Sequence, residues 1–251
     1  MDHSGPTAPA ATAPLLAHAR ALWVELAGAP VRFGPTGDAR IVVSPASRWC
    51  PPSWCGFVRI GDAALVTAPD RGTAARVAEA TRGLPPEALV DPAYLSLPVR
   101  EVLGPAALFY ADGSTFLPTH EAAGVEEHAD VGRFLGPLLA RVDQAEAEES
   151  ALTDIDSPAF CLGSGGGIVA AAGYEVWAGR AAHLSVLVAP EVRGRGLARA
   201  VASAAVAHAL DAGLLAQWRA RPVPSQRVAR ALGFRELGAQ LSVRVPADQS
   251  P

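Results

Sequence analysis

A short basic turn with two glycines is the part of this sequence best suited to bind a ligand. It joins an apolar run, residues 186–189, to an alanine-rich run that begins at Leu197. A helix starting there would leave its first backbone N–H groups without partners at the positive end of its dipole. Glycine lets a bulky anion approach the main chain, and arginine donates paired hydrogen bonds to phosphate oxygens. These properties predict a pyrophosphate site formed by Arg193, Gly194, Arg195, Gly196, Leu197 and Ala198.

Other interpretations of this turn stay open or are weaker. The simplest alternative is an ordinary strand-to-helix turn with exposed arginines. No Gly-x-x-x-x-Gly-Lys-Ser/Thr segment occurs, and Arg199 stands where the dinucleotide pattern Gly-x-Gly-x-x-Gly would place its third glycine. The sequence therefore gives little support for a nucleoside triphosphate or NAD as the ligand.

Metal chemistry has little support in the sequence. Cys50 and Cys55 are close together, but only Cys161 remains to join them, so buried or pocket-lining thiols are the expectation. A second group consists of His120, Glu121 and His128, and its spacing matches no standard metal site. We predict no metal site.

Composition limits the classes of partner. The chain has 251 residues, of which 50% are hydrophobic and 18% charged, with a net charge of -4. Nucleic-acid-binding proteins normally present a basic face, so this balance argues against a nucleic-acid partner. No apolar run reaches the roughly 18 to 20 residues that cross a bilayer, and no secretion signal is recognisable at the N-terminus. We expect a cytoplasmic protein with no membrane partner, either alone or as a homodimer.

The first half of the chain predicts a small α/β domain. Residues 1–14 are rich in Pro, Ala, Ser and Thr and are expected to be disordered. Apolar residues at three- and four-residue spacings predict a helix over 15–26. Strands are expected at 41–43, 57–60, 64–67 and 106–110, with a hairpin at Gly61-Asp62 and a helix over 73–81. The domain would cover residues 15–112.

The second half, residues 115–251, mixes strands and helices. Strands are expected at 115–117, 159–162, 168–177, 182–188 and 214–218, with a final pair at 234–236 and 240–245. Helices are expected at 131–142, 145–152, 197–212 and 225–232, and the run Gly163–Gly167 reads as a hairpin loop. A crossover helix after the glycine turn predicts a mixed α+β fold, with a mixed sheet flanked by helices.

The Arg-x-x-Gly-x-Ala core of the turn (Arg193, Gly196, Ala198) resembles the coenzyme A loop of the GCN5-related N-acetyltransferase (GNAT) superfamily. The closing stretch, residues 225–234, is similar to the family's Asn-x-x-Ser…Leu-Gly-Phe segment, with Ser225 at the serine. The resemblance covers roughly residues 115–251. It implies the acyl-CoA N-acyltransferase fold, in which the sheet splays beside the strand that precedes the loop.

The resemblance also implies an activity, the transfer of an acetyl group from acetyl-CoA to a primary amine of a small molecule by direct attack. Main-chain donors at Leu187 and Val188 would bind the pantetheine arm, and Ser225 would lie near it. Two family residues are absent. Pro222 holds the position of an asparagine that often contacts pantetheine, and Ala229 that of a tyrosine that reprotonates the thiolate. Either another group such as Ser225 or water donates the proton, or no acid is needed, because a thiol leaves readily near its pKa of about 8.5.

Direct attack requires a neutral amine, and so a base near the splay. His183 is the first candidate; the alternative is a strand-end histidine bonded to a backbone carbonyl. Glu149 lies in an acidic helix that borders the acceptor pocket in the family, or else on a solvated helix face. Glu175 could attract a cationic substrate or be an exposed strand carboxylate.

One segment in the first half partly repeats the sequence pattern of the loop. Residues 64–75 again run from an apolar strand through Ala-Pro and Arg-Gly into a helix, without the second glycine or second arginine. This unit is either a degenerate acetyltransferase-like copy or an unrelated α/β cap.

Two functional alternatives also stay open, a protein or peptide N-acetyltransferase and a non-catalytic acyl-CoA-binding module.

Overall fold

The computed structural model describes residues 12–122, 124–129 and 131–246. These residues divide into two compact units. The first takes the described residues up to Leu108 together with those from Leu237 onward, and the second runs from Phe109 to Glu236. The division expected from the sequence differs, since it assigns the last residues of the chain to the second unit.

Six α-helices and ten strands are found among the described residues. The helices are α1 (Thr12–Leu26), α2 (Arg71–Ala80), α3 (Val131–Leu139), α4 (Gln144–Ser150), α5 (Leu197–Asp211) and α6 (Val223–Ala231). The strands are β1 (Ala39–Val43), β2 (Cys55–Ile60), β3 (Ala63–Ala68), β4 (Glu101–Ala111), β5 (Glu126–His128), β6 (Ala159–Ser164), β7 (Gly167–Trp177), β8 (Ala181–Val188), β9 (Leu215–Ala220) and β10 (Arg235–Arg244). Within the described ranges, no helix combines the length and apolar character that a membrane span requires.

The first unit is built on the strand order β1-β3-β2-β10-β4. β2 and β3 form the predicted hairpin through Gly61, whose φ is +66°, and β1 pairs with β3 in parallel. α1 buries its predicted apolar positions, including Leu15, Leu22 and Trp23. It starts at Thr12, so residues 12–14 of the segment predicted to be disordered are helical, while residues 1–11 lie outside the described residues.

Residues 64–75 of the first unit, which partly repeat the pattern of the glycine turn, do form a strand, a turn and a helix. The start of this helix is already capped by a side chain. The Asp70 carboxylate caps α2 by accepting a 2.8 Å hydrogen bond from the Thr73 amide. An aspartate at this position fills the place that an anion would need. The parallel neighbour of β3 is β1, which precedes it in the chain, whereas the parallel neighbour of β8 in the second unit is β9, which follows it.

The second unit contains a mixed sheet in the order β9-β8-β7-β6-β5, in which only β8 and β9 are parallel among the registered pairs. One face meets α5, where the Tyr174 hydroxyl lies 2.8 Å from His208 Nδ1. On the other face, Ala171 and Leu187 pack in one cluster with Leu138 of α3. The predicted mixed sheet flanked by helices is therefore confirmed.

Two strand predictions in the second half are corrected. Residues 115–117 form no strand, because the Leu117 amide donates to the carbonyl of Leu232 in the turn after α6. The predicted final pair of strands is one strand, β10, since Leu237 and Gly238 continue the extended chain. The hairpin at Gly163–Gly167 is confirmed by the antiparallel pairing of β6 with β7.

Candidate active site in the second unit

β8 and β9 separate partway along their length. They pair in parallel at Ala181↔Leu215, Ala182↔Ala216 and His183↔Gln217, which is the last registered pair. Beyond it, Leu184 on β8 and Trp218 on β9 line opposite sides of a cleft with a volume of about 960 Å³. The splay expected beside the strand that precedes the glycine turn is therefore present.

The hydrogen bonds at the two ends of β8 show which of its amides face the cleft. Arg180 O accepts from the Leu215 amide on the β9 side, at 2.9 Å, and the Ala189 amide donates to Val169 O of β7, at 2.8 Å. Successive residues of a strand present their N–H and C=O groups to opposite edges. Even-numbered residues of β8 therefore face β9 and the cleft, and odd-numbered residues face β7.

This alternation corrects one predicted contact. Adjacent residues cannot both present amides to the cleft, so Leu187, paired in register with Ala171 of β7, cannot serve beside Val188. The two amides available past the splay are those of Val186 and Val188. Leu187 does line the cleft, but its side chain is nearly buried and packs in the core cluster that includes Leu138 of α3. Sequence reasoning missed Val186, although the period of a strand would have indicated it.

The glycine turn leaves the start of α5 open. Gly194 and Gly196 have φ values of +77° and +81°, a region that residues with a side chain rarely adopt. Gly196 is the N-cap of α5, and no side chain of the described residues caps this helix end. A Cβ at Gly194 would meet no atom within 4 Å. Leu197 and Ala198 also line the cleft, so the first free amides of the helix adjoin open space.

The charge of the cleft is positive. Five arginines and two glutamates line it, an excess of three positive charges: Arg193, Arg195, Arg199, Arg219 and Arg227 against Glu146 and Glu149. Arg195 is exposed on the turn itself. Such a surface raises the local concentration of polyanionic ligands.

Helix α4 supplies both glutamates and reaches two parts of the cleft. Glu146 pairs with Arg193 of the turn, whose Nε also donates to Val188 O at 3.1 Å. Glu149 accepts two hydrogen bonds from Arg221, including one of 2.9 Å from Nε. The predicted residue Glu149 therefore lies on the cleft and is engaged by an arginine. Sequence reasoning missed the role of Glu146, because nothing in the sequence showed which arginine it would face.

His183 lies beside the cleft but is not among its lining residues in the described chain. Its Nδ1 is hydrogen-bonded to the side-chain oxygen of Gln217, and its ring stacks on Trp177 with centroids 3.9 Å apart. Burial, together with the positive charge of Arg219, lowers the pKa of His183 to about 3, although the bond to Gln217 raises it. The partner of His183 is thus a side chain rather than a backbone carbonyl.

Ser225 lies on α6 at the cleft wall, and its hydroxyl oxygen accepts a 2.9 Å hydrogen bond from Trp218 Nε1. Ala229, at the position of the family tyrosine, is fully buried. Pro222, at the position of the family asparagine, is the N-cap of α6 and lines the cleft.

The described residues contain no group of three or more His, Cys, Asp or Glu arranged to hold a metal; the side chain of Glu121 lies outside the described residues.

Solved structures similar to this chain include two from the GNAT family. One, from Novosphingobium aromaticivorans, is 22% identical, covers 58% of this chain and 65% of its own, and has a TM-score of 0.44. Another, a GCN5-related N-acetyltransferase from Kribbella flavida, is 18% identical, covers 59% and 60%, and has a TM-score of 0.41. The chain thus spans less than two thirds of either structure.

A third solved structure, from Salmonella typhimurium, contains its cofactor acetyl-CoA. It is 18% identical, covers 59% of this chain and 98% of its own, and has a TM-score of 0.30. No curated protein matches the chain. The family model for GNAT acetyltransferases matches residues 157–239, which include β8, the glycine turn, α5, β9 and α6. The C-terminal part of the chain therefore contains a domain of the GCN5-related N-acetyltransferase superfamily.

Proposed function

We propose that the second unit is an acetyl-CoA-dependent N-acetyltransferase that acetylates a primary amine of a small molecule. One observation carries the proposal: the cleft opened by β8 and β9 runs to a glycine turn and an uncapped helix start. Open main-chain donors and an excess of positive charge therefore lie along one cleft, as an extended ligand with phosphates at one end requires.

The residues of the cleft fit coenzyme A. The amides that begin α5, with Arg195 beside them, would hold the pyrophosphate, because glycine at 194 and 196 leaves the main chain accessible. The amides of Val186 and Val188 would bind the pantetheine arm, as a neighbouring strand would. Bound acetyl-CoA supplies an activated acetyl group, and an amide of β8 would stabilise the charge that develops on the thioester oxygen.

Of the two predicted acid–base residues, Glu149 is the one whose side chain lines the cleft. Its oxygens already accept from Arg221, yet each carboxylate oxygen can accept a further hydrogen bond. We assign Glu149 to receive a proton from the acceptor amine, directly or through water. His183, with its pKa lowered to about 3, is too weak a base for this role near neutral pH.

A non-catalytic acyl-CoA-binding module is the second candidate, because Ala229 and Pro222 replace the family's tyrosine and asparagine. Thiol release from acetyl-CoA with a panel of small amines and lysine-containing peptides separates these functions when combined with calorimetric titration of CoA. We expect CoA binding and turnover with small amines. Binding without turnover on any amine would assign the module instead, preference for the peptides would assign a protein acetyltransferase, and absence of CoA binding would overturn the proposal.

A further inference from the structure

Arg219 lies where β8 and β9 have just separated. It is two residues beyond Gln217, the last residue of β9 in register with β8. Side chains two residues apart on a strand share a face, and Glu175, His183 and Gln217 stand opposite one another on adjacent strands. Arg219 therefore belongs to the same face of the sheet as His183, and it lines the cleft.

Arg219 lies over the ring of Trp177, which is itself held by two neighbouring residues. Its guanidinium carbon lies 6.0 Å from the centroid of the Trp177 ring. Trp177 is in turn fixed by stacking on His183 and by a 2.9 Å hydrogen bond from its indole N–H to Glu175. An arginine ordered by an aromatic ring loses less conformational entropy when it binds a ligand. The site is therefore preorganised.

The position of Arg219 separates it from the expected phosphate end of the cleft. Continuing the register from His183↔Gln217 brings Arg219 level with Ser185, three residues before the end of β8. At about 3.3 Å per residue, this places it about 10 Å from Val188, with the glycine turn farther still. A charge at this point would face the reacting end of a donor whose phosphates lie at the glycine turn.

The local electrostatics favour an anion. Arg219 is exposed to solvent, yet enough protein surrounds it for burial to lower its pKa, while the charge of Glu175 raises that pKa. The field of Arg219 also disfavours protonation of His183. Arg219 therefore stays charged beside a neutral histidine, and its charge attracts a carboxylate that enters this part of the cleft more than it attracts a purely cationic ligand.

We propose that Arg219 binds a carboxylate of the acceptor, so that the preferred acceptors are amines that also carry a carboxylate group, as amino acids do. A guanidinium matches a carboxylate through two parallel N–H···O bonds, which would also orient the amine toward the thioester. This inference rests on the proposed acetyltransferase function and adds the substrate class.

The test compares amines that differ only in a carboxylate. Amino acids with one to four carbons between the amine and carboxyl groups are each paired with their carboxamide, and kcat/KM is measured for the wild type and Arg219→Gln. Dividing the acid-to-amide ratio of the wild type by that of the variant cancels the intrinsic reactivity of each amine. We expect a quotient of at least about tenfold, the size of a lost charged hydrogen bond, and the Kd of CoA is measured for both proteins so that a change in donor binding is distinguished from a change in acceptor selection. Arg219→Lys keeps the charge but lacks the two parallel N–H groups of a guanidinium, so its acid-to-amide ratio should lie between those of the wild type and Arg219→Gln.

Arg230→Gln is the matched control, because Arg230 also lies over an aromatic ring, 4.9 Å from the Phe109 centroid, and pairs with a glutamate, but it does not line the cleft. Its acid-to-amide ratio should equal that of the wild type. A wild type without acid preference, or equal loss on acids and amides in Arg219→Gln, would overturn the inference.

Absence of turnover with every amine would instead overturn the proposed function. The carboxylate site is then decided by titrating the same acids and amides into the CoA-bound protein. Acid binding that Arg219→Gln abolishes supports the site, and equal binding of acids and amides refutes it.

Discussion

His183 of β8 and Gln217 of β9 form the last pair that joins these two strands, and their side chains are hydrogen-bonded to each other. Both residues are buried, and no partner was found among the described residues for Gln217 Nε2. The pair therefore marks the point at which the sheet opens and the cleft begins. Its chemistry is that of a neutral hydrogen-bonded couple, since protonation of His183 is strongly disfavoured.

Stability should depend on pH through His183. Its pKa is lowered to about 3 in the folded protein, from an ordinary value of 6.5. The stabilising contribution is complete above pH 6.5 and declines as pH falls toward 3, because over this range the unfolded chain binds a proton that the folded chain does not. Between pH 7 and pH 5 the loss of unfolding free energy should reach about 2 kcal/mol at most.

Urea unfolding of the wild type and of His183→Gln at the two pH values should show a smaller loss of unfolding free energy in the variant. His18→Gln, on the exposed face of α1, should keep the wild-type loss; equal losses in all three proteins would contradict the assignment.

The same residue should not set the pH dependence of the reaction. A histidine with a pKa of about 3 is neutral throughout the pH range in which amines are acetylated, so His183→Gln should keep the apparent pKa of the kcat/KM profile. Glu149→Gln should lower kcat/KM at pH values at which the wild type is active. A shift of the profile in His183→Gln alone would restore His183 as the base.

Glu146 should compete with the donor for Arg193. The carboxylate pairs with the guanidinium at the turn, and both side chains are partly exposed, so the pair is worth about 0.2–1 kcal/mol. Glu146→Gln should tighten CoA binding by about 1.4- to 5-fold, which calorimetry at low salt can resolve. Glu148→Gln is the control, since Glu148 accepts from Gln144 and does not line the cleft. Weaker binding in Glu146→Gln would show that the pair supports the turn rather than competing with the ligand.

Ser225 should matter for stability more than for proton donation. Ser225→Ala removes the acceptor of the nearly buried Trp218 N–H and should cost about 1–3 kcal/mol in unfolding free energy. The rate of thiol release should change by less than about threefold, because a thiolate leaves without an acid near its pKa. Ser225→Thr, which keeps the hydroxyl, is the comparison. A large fall in kcat with unchanged stability would instead make Ser225 the proton donor.

Sequence reasoning predicted the elements of the second unit well where a local pattern determines the structure. Glycines at 194 and 196 adopt the positive φ that the turn requires. β6, β7, β8 and α5 lie within two residues of their predicted bounds, because each of the three strands is an apolar run next to turn residues and contains a continuous buried stretch. The strand at 115–117 failed because a main-chain bond to Leu232, distant in sequence, decides that segment.

Long-range partners also decided the rest of the site. The sequence placed Glu149 and His183 as candidates, but only the folded chain shows that the first meets Arg221 and the second meets Gln217. Arg219 carried no local signal, since its importance comes from lying just past the last registered pair. The amide of Val186 could have been selected from strand alternation once one facing residue was known.

Calorimetric titration of CoA into the wild type, Gly194→Asp and Gly213→Asp tests whether the glycine turn holds the phosphates of CoA. The two glycines have nearly equal φ values, +77° and +75°, and a Cβ meets no atom within 4 Å at either, so both substitutions impose similar strain at opposite ends of α5. We expect one CoA site per chain, lost or weakened at least about tenfold in Gly194→Asp, where a carboxylate would face the phosphates, and kept within about twofold in Gly213→Asp. Equal CoA affinity in Gly194→Asp and the wild type would contradict a phosphate site at the glycine turn.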